Sequence, residues 1–195
     1  MSLTIQQLAL RRGQRQILTQ YQQEFLAQRS CLIAPNGAGK SSLMAAIAGL
    51  IPCQQGQILW RQRPIQAADP AVALASDSVP LPDFFTGRAL LELQQQMWQL
   101  PAPTALLSDF NFLPQLDCPI ADLSAGNRKK LTLIGALMRQ PELLLLDEPN
   151  IALDEQAQQC LWHHIATYPG MIIAASHDAE LFQQHQFTLV PLHAI

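Results

Sequence analysis

The sequence predicts an α/β fold, with one core and a small insertion. Three observations carry that expectation. Short apolar runs end in polar or glycine-bearing turns, as at Cys31 to Ala34, Leu143 to Leu146 and Met171 to Ala175. One such run leads through Ala34-Pro35-Asn36-Gly37-Ala38-Gly39-Lys40-Ser41 into a helical stretch. From about Ser76 to Asp122 the strand-and-helix alternation gives way to proline-broken pieces. A chain of 195 residues holds one sizeable α/β core with a small insertion, and is too short for two full domains. With 49% hydrophobic and 14% charged residues it is not a disordered chain.

The segment from Met1 to about Ala75 supplies N-terminal strands, the glycine-bearing turn and the helix that follows it. Cys31 to Ala34 reads as a buried strand, and Ser41 to Ala48 as a helix. Gly37 and Gly39 lack a β-carbon, so the backbone between strand and helix is free to turn its N–H groups around an anion. The helix opening at Lys40 aims its positive dipole end at the same point. Lys40 is then placed to reach β- and γ-phosphates, and the Ser41 hydroxyl to ligate Mg²⁺. Ala34 stands where this phosphate-loop pattern has its first glycine, and its methyl group is expected to crowd the turn. Taken alone, the stretch also fits a glycine-rich turn with a chance Lys-Ser.

After the Gly56 turn, Gln57 to Trp60 reads as a further strand. The insertion, residues 76–122, contains one helical stretch from Arg88 to Leu100, with Leu90, Leu91, Leu93, Met97 and Trp98 among glutamines. Beyond it, Leu143 to Leu146 has the composition of a central parallel strand buried on both faces, and it ends in Asp147-Glu148-Pro149. Ligands of open α/β sheets lie at that edge of the strands. Asp147 is placed to hold a magnesium shell, and Glu148 to orient and deprotonate an attacking water. An acid pair capping a helix after a core strand is the plainer alternative. Phe187 to Val190 closes the alternation as a last strand.

Between these anchors lies Leu123-Ser124-Ala125-Gly126-Asn127, followed by a plausible amphipathic helix from Arg128 to Leu137. It resembles the LSGGQ signature of ATP-binding subunits of ABC transporters, and the resemblance covers nearly the whole chain. It implies a P-loop NTPase core of residues 1–75 and 123–195, with a mixed sheet and N-terminal antiparallel strands, and residues 76–122 as a shortened helical subdomain. It also implies ATP and Mg²⁺ as ligands and a head-to-tail dimer. In that dimer the turn from Leu123 to Asn127 of one protomer, through Ser124 and Gly126, meets the γ-phosphate held by Lys40 of the other. Asn36, Gly37, Ala38, Gly39, Lys40, Ser41 and Ser42 form the nucleotide-binding loop in this reading. His177, in Ser176-His177-Asp178 at the end of the Met171 to Ala175 strand, resembles the histidine that bonds the γ-phosphate and positions water. Asp154 matches the acid of the D-loop, where Ile151 replaces the usual serine.

Two further positions depart from the family pattern. Phe85-Thr86-Gly87-Arg88 resembles a run of small export-type ATPases, and counting back from it places the Q-loop glutamine position on or beside Asp77. The adenine-stacking aromatic is replaced by Arg11 and Arg12; Tyr21 lies too far along. A guanidinium plane stacks on a base without choosing among purines, so GTP is expected to be accepted alongside ATP.

The formal net charge of −3 argues against a nucleic-acid partner, because Arg11-Arg12 and Arg128-Lys129-Lys130 are too short to form a basic stripe. Both clusters read as solvated surface or dimer contacts. The four cysteines show no Cys-x-x-Cys spacing and read as reduced thiols of a cytoplasmic protein. No signal peptide is expected, and no apolar run approaches the roughly 20 residues that cross a bilayer. The family resemblance therefore assigns the pore to a separate polytopic transmembrane permease, with this chain peripheral on the cytoplasmic face of the membrane.

The expected function is that of a Mg²⁺-dependent ATPase driving transport, with a second ATP-binding subunit, identical or homologous, completing the dimer. Compact length and the Ala125 variant of the signature look like the haem-exporter ATPase of cytochrome c maturation. Phe84, Phe85, Met97 and Trp98 are candidates for the rim that receives a coupling helix of the permease, or for the core of the insertion. A non-turnover nucleotide-binding module and a soluble ABC ATPase without a membrane partner are the competing readings.

Overall fold

The computed structural model describes residues 1–192. Among the described residues, nine strands fall into two sheets. β1 (Leu3–Arg12), β2 (Arg15–Phe25), β4 (Gln55–Trp60) and β5 (Arg63–Pro64) form an antiparallel sheet in the order β2-β1-β4-β5. The second sheet is parallel throughout. Its order is β6 (Val72–Ala75), β7 (Leu143–Asp147), β8 (Met171–Ser176), β3 (Arg29–Ile33) and β9 (Thr188–Pro191). The last expected strand thus begins at Thr188, with the Phe187 side chain buried just before it. Residues 193–195 of the expected C-terminal core segment lie outside the described residues.

The period of two along each strand explains why the central strands are apolar without interruption. Leu144 and Leu146 of β7 join one apolar cluster, while Leu143 and Leu145 join another on the opposite face. β8 divides likewise, with Ile172 and Ala174 on the first side and Met171, Ile173 and Ala175 on the second. The second cluster is completed by the antiparallel sheet and by α1 (Lys40–Ile47), through Leu8, Leu10, Leu43 and Met44. Each such fully buried leucine contributes roughly 1.5–3 kcal/mol over its exposed state.

The first cluster runs without a break from the parallel sheet into residues 76–122, which contain α2 (Gly87–Trp98), α3 (Thr104–Asp109) and two single-turn 3-10 helices. α2 starts where the Thr86 hydroxyl accepts the Ala89 N–H at 3.1 Å. Leu90, Leu91, Phe110, Phe112 and Ile120 pack with Leu131 and Ile134 of α4 (Ala125–Leu137). Of the four expected rim residues, Phe84 is 84% exposed and Met97 65% exposed. Phe85 packs against the apolar cluster, and Trp98 lies under the Arg139 guanidinium, 4.1 Å from ring centroid to Cζ.

α5 (Glu155–Thr167) and α6 (Ala179–Gln184) begin at capping acids: Asp154 accepts the Ala157 N–H and Asp178 the Leu181 N–H. All four cysteines are free, and burial pushes the Cys31 thiol well above its ordinary pKa. No helix among the described residues is long and apolar enough to cross a membrane.

Candidate nucleotide site

The carboxyl ends of β3, β6, β7 and β8 bring the motif residues to one edge of the parallel sheet, where open α/β sheets bind ligands. A cavity of about 370 Å³ opens there. Asn36, Gly37, Gly39, Lys40, Ser41 and Ser42 line its floor, and Glu148 one wall. Arg12, expected from sequence, stands at the opposite rim with Arg15 and Ile17. Ala38 turns away and packs against the apolar cluster beneath α1.

The loop conformation follows from its glycines. Gly37 and Gly39 have φ of 82° and 101°, in the left-handed region that disfavours side chains. A β-carbon on Gly39 would also fall 2.4 Å from Ile17 Cγ2. Ala34 has no positive φ, and its methyl is 5% exposed within the core. This position therefore does not need glycine's conformation.

Lys40 is 5% exposed and folds back over the loop. Its ammonium donates to the Ala34 carbonyl at 2.6 Å and the Pro35 carbonyl at 3.4 Å, and lies 3.3 Å from Glu148 Oε1. Glu148 also accepts the Ser176 hydroxyl at 3.3 Å, and His177 Nδ1 lies 3.2 Å from both of its carboxylate oxygens. Lysine, carboxylate and imidazole thus form one cluster spanning three elements.

Asp147 is 5% exposed. Its Oδ2 accepts the Ser76 hydroxyl at 2.7 Å, while Oδ1 is buried and has no hydrogen-bond partner. A buried carboxylate oxygen left unsatisfied is costly unless a cation completes it. With Ser41 at the cavity, these oxygen donors would suit a hard cation such as magnesium. No cluster of three or more metal-ligating side chains occurs among the described residues, and such an ion needs none.

Asp77 sits at the expected loop, yet its carboxylate is engaged by Lys129 at 2.7 Å. Ser76 is the residue of that loop that reaches Asp147. Lys129 and Lys130 correct the expectation of a solvated basic cluster: they are 2% and 7% exposed. The helical turn rotates both toward the body of the protein, where Lys130 pairs with Asp154 at 2.6 Å. That hydrogen bond, and next the Ala157 N–H, hold the Asp154 carboxyl below the usual carboxylate range.

Ser124 caps α4, its hydroxyl accepting the Asn127 N–H at 3.2 Å. Ser124 and Ala125 are exposed and Gly126 and Asn127 half-buried, and none of the four lines the phosphate cavity. The Leu123 side chain, expected with them as part of the facing surface, is 3% exposed within its own apolar cluster. Gly126 has no room for a side chain: its β-carbon would lie 2.7 Å from the Ala152 carbonyl oxygen. Ile151, one residue earlier, is 42% exposed.

A phosphate loop, an acid pair at a strand end and a helix-capping signature turn occur together in the ABC transporter family, whose profile matches residues 25–150. The chain belongs to this family. Among curated ABC proteins it is 31% identical over 188 residues to the cytochrome c biogenesis ATP-binding export protein CcmA of Sodalis glossinidius, covering 90% of this chain and 89% of that one. It is 31% identical over 180 residues to the energy-dependent translational throttle protein EttA of Mycobacterium tuberculosis, covering 75% of this chain. That alignment spans about a third of the throttle protein, 32% of its length. A solved ABC transporter ATP-binding protein from Pyrococcus furiosus superposes with a TM-score of 0.78 at 19% identity, covering 99% and 98% of the two chains. That likeness establishes the ABC ATPase fold.

Sequence reasoning missed Arg15, Ile17, Ser76 and Lys129. Arg15 was legible in principle, since it follows Arg12 across the Gly13 turn and pairs with it in register. Ser76 stands directly before the Asp77 position, but an isolated serine at a strand end carries no signal of its own.

Proposed function

We propose that this chain is the ATP-hydrolysing subunit of an ABC transporter, closing head to tail on a second ATP-binding subunit and driving a separate membrane permease. The single observation that carries the hydrolytic part is the cluster of Lys40, Glu148 and His177 beside the unsatisfied Oδ1 of Asp147. Lys40, Ser41 and Glu148 line one cavity, and His177 joins them through its contact with Glu148.

ATP enters with its triphosphate along Asn36 to Ser42, where backbone N–H groups and the α1 dipole favour negative charge. Lys40 exchanges its loop carbonyls for phosphate oxygens, which bind an ammonium more strongly. Ser41 and Asp147 would hold Mg²⁺, which would supply neutralisation of the phosphate charge. Releasing Lys40 frees Glu148 to hold a water in line with the γ-phosphorus and to accept its proton as the P–O bond to ADP breaks. His177, half exposed beside Glu148, bonds the γ-phosphate. Ser124 to Asn127 of the second subunit present a hydroxyl, backbone amides and a helix N-terminus to that phosphate. Arg12 stacks on the base.

Residues 76–122 act as the helical subdomain in this cycle, and Asp154 shapes the D-loop between the two sites. The likeness to CcmA supports an export-type partner and residence on the cytoplasmic face of the membrane. A soluble ABC ATPase without a permease is the second reading, favoured by the likeness to the translational throttle protein. Phosphate release by the purified chain tests hydrolysis: it is expected with Mg²⁺ and ATP and lost in EDTA. Recovery of a polytopic membrane protein with the chain from native membranes separates the first reading from the second.

A further inference from the structure

We infer that Lys129 is a positioning residue that sets the backbone of Glu148, with Asp77 as its dedicated counter-ion. The inference rests on the hydrolytic reading of Glu148 and goes beyond it. A lysine that is 2% exposed in the middle of a fold is costly to bury unless its charge and all of its donors are matched. Here they are. The three donors of the ammonium meet three acceptors: the Asp77 carboxylate at 2.7 Å, the Glu148 carbonyl at 3.1 Å and the Asp147 carbonyl at 3.4 Å.

The carbonyls matter because of the conformation they belong to. Glu148 has φ of 44°, a left-handed backbone that a residue with a side chain rarely adopts. Its N–H is held by the Ala175 carbonyl at 2.9 Å, and its carbonyl accepts Lys129 together with the Ile151 N–H at 3.3 Å. That twist aims the carboxylate at Lys40 and His177 instead of along the strand. Strained backbone at a reacting group persists where its surroundings fix it from both sides. Lys129 supplies one of those sides, from α4, the helix that carries the signature turn.

The same contact gives Asp77 a physical reason. A carboxylate at this loop balances the buried ammonium, whereas an uncharged glutamine would leave it uncompensated. Through Lys129 the loop after β6, the end of β7 and α4 share one atom, Nζ.

Steady-state ATP hydrolysis by Lys129→Met and Lys129→Gln, each checked for folding by thermal melting, tests this. Removing all donors in Lys129→Met is expected to lower kcat about 10- to 100-fold, the usual cost of losing a group that orients a reacting one from behind. KM for ATP stays within about threefold, because the phosphate loop is untouched. Lys129→Gln keeps amide donors for the carbonyls and is expected to recover part of kcat. Wild-type kcat in Lys129→Met, or KM rising in step with the fall in kcat, overturns the inference. If Lys129→Met does not fold, Lys129→Gln decides: reduced kcat at unchanged KM supports the positioning role, and wild-type values of both remove it. A wild-type chain that hydrolyses no ATP removes the hydrolytic reading itself, whereas an active wild type indifferent to Lys129 removes the inference alone.

Discussion

The Lys40 ammonium lies 3.3 Å from the Glu148 carboxylate, bridging the phosphate loop and the end of β7. In the function proposed above these two groups act on opposite sides of the γ-phosphate, so their contact would couple phosphate entry to release of the base.

Replacing the two members is therefore expected to have different consequences. Lys40→Ala is expected to lose both tight nucleotide binding and turnover. Glu148→Gln keeps binding and lowers kcat by roughly 100-fold or more, as loss of a general base does. Equilibrium binding of a fluorescent ATP analogue and phosphate release report the two effects; turnover near the wild-type rate in either variant contradicts these roles.

The rim of Arg12, Arg15 and Ile17 offers planes and an aliphatic surface to a base, with no aromatic ring. Such a surface stacks on any purine. GTP is expected to compete with ATP at comparable concentrations in a hydrolysis assay, and a strong preference for ATP contradicts this.

Asp154 gives a pH-dependent contribution to stability. Lys130 holds its carboxyl below the ordinary value, so the folded state favours the ionised form. The stabilisation is complete above the unfolded value of about 3.9 and is lost as pH falls through the lower folded value. Asp154→Asn retains the acceptor that caps α5 and removes the charge. Because the carboxylate is more than half exposed, solvent screening limits the expected loss to about 1 kcal/mol near pH 7. Urea unfolding at several pH values is expected to show that deficit shrinking below about pH 4. A deficit equal at all pH values contradicts the ion-pair assignment.

How much of this was legible in the sequence depended on whether a residue's surroundings are local. The phosphate loop and the Asp147-Glu148 pair are set by neighbours in the chain, because an apolar run fixes where a buried strand ends. Both faces of β7 were readable from four consecutive leucines for the same reason. Lys129 was not, since burial of one lysine in Arg128-Lys129-Lys130 depends on the rotation of α4 against β7 and on a carboxylate 52 positions earlier in the chain. Arg15 and Ile17 needed the register of the β1–β2 hairpin. The phosphate-loop pattern did not distinguish its glycines: a positive φ requires one at Gly37 and Gly39, and not at the strand end where Ala34 stands. Leu123 was read with the exposed turn that follows it, although its own apolar side chain belongs to the core.

The proposed cycle requires two ATP-binding subunits to close over nucleotide, each presenting Ser124 to Asn127 to the other's Lys40. Sedimentation of Glu148→Gln with Mg²⁺ and ATP tests it most directly, read beside the same protein carrying Ser124→Arg. A dimer that forms only with ATP and is abolished by Ser124→Arg is the expected result. Glu148→Gln that binds ATP and remains a monomer, or a dimer indifferent to Ser124→Arg, would contradict it.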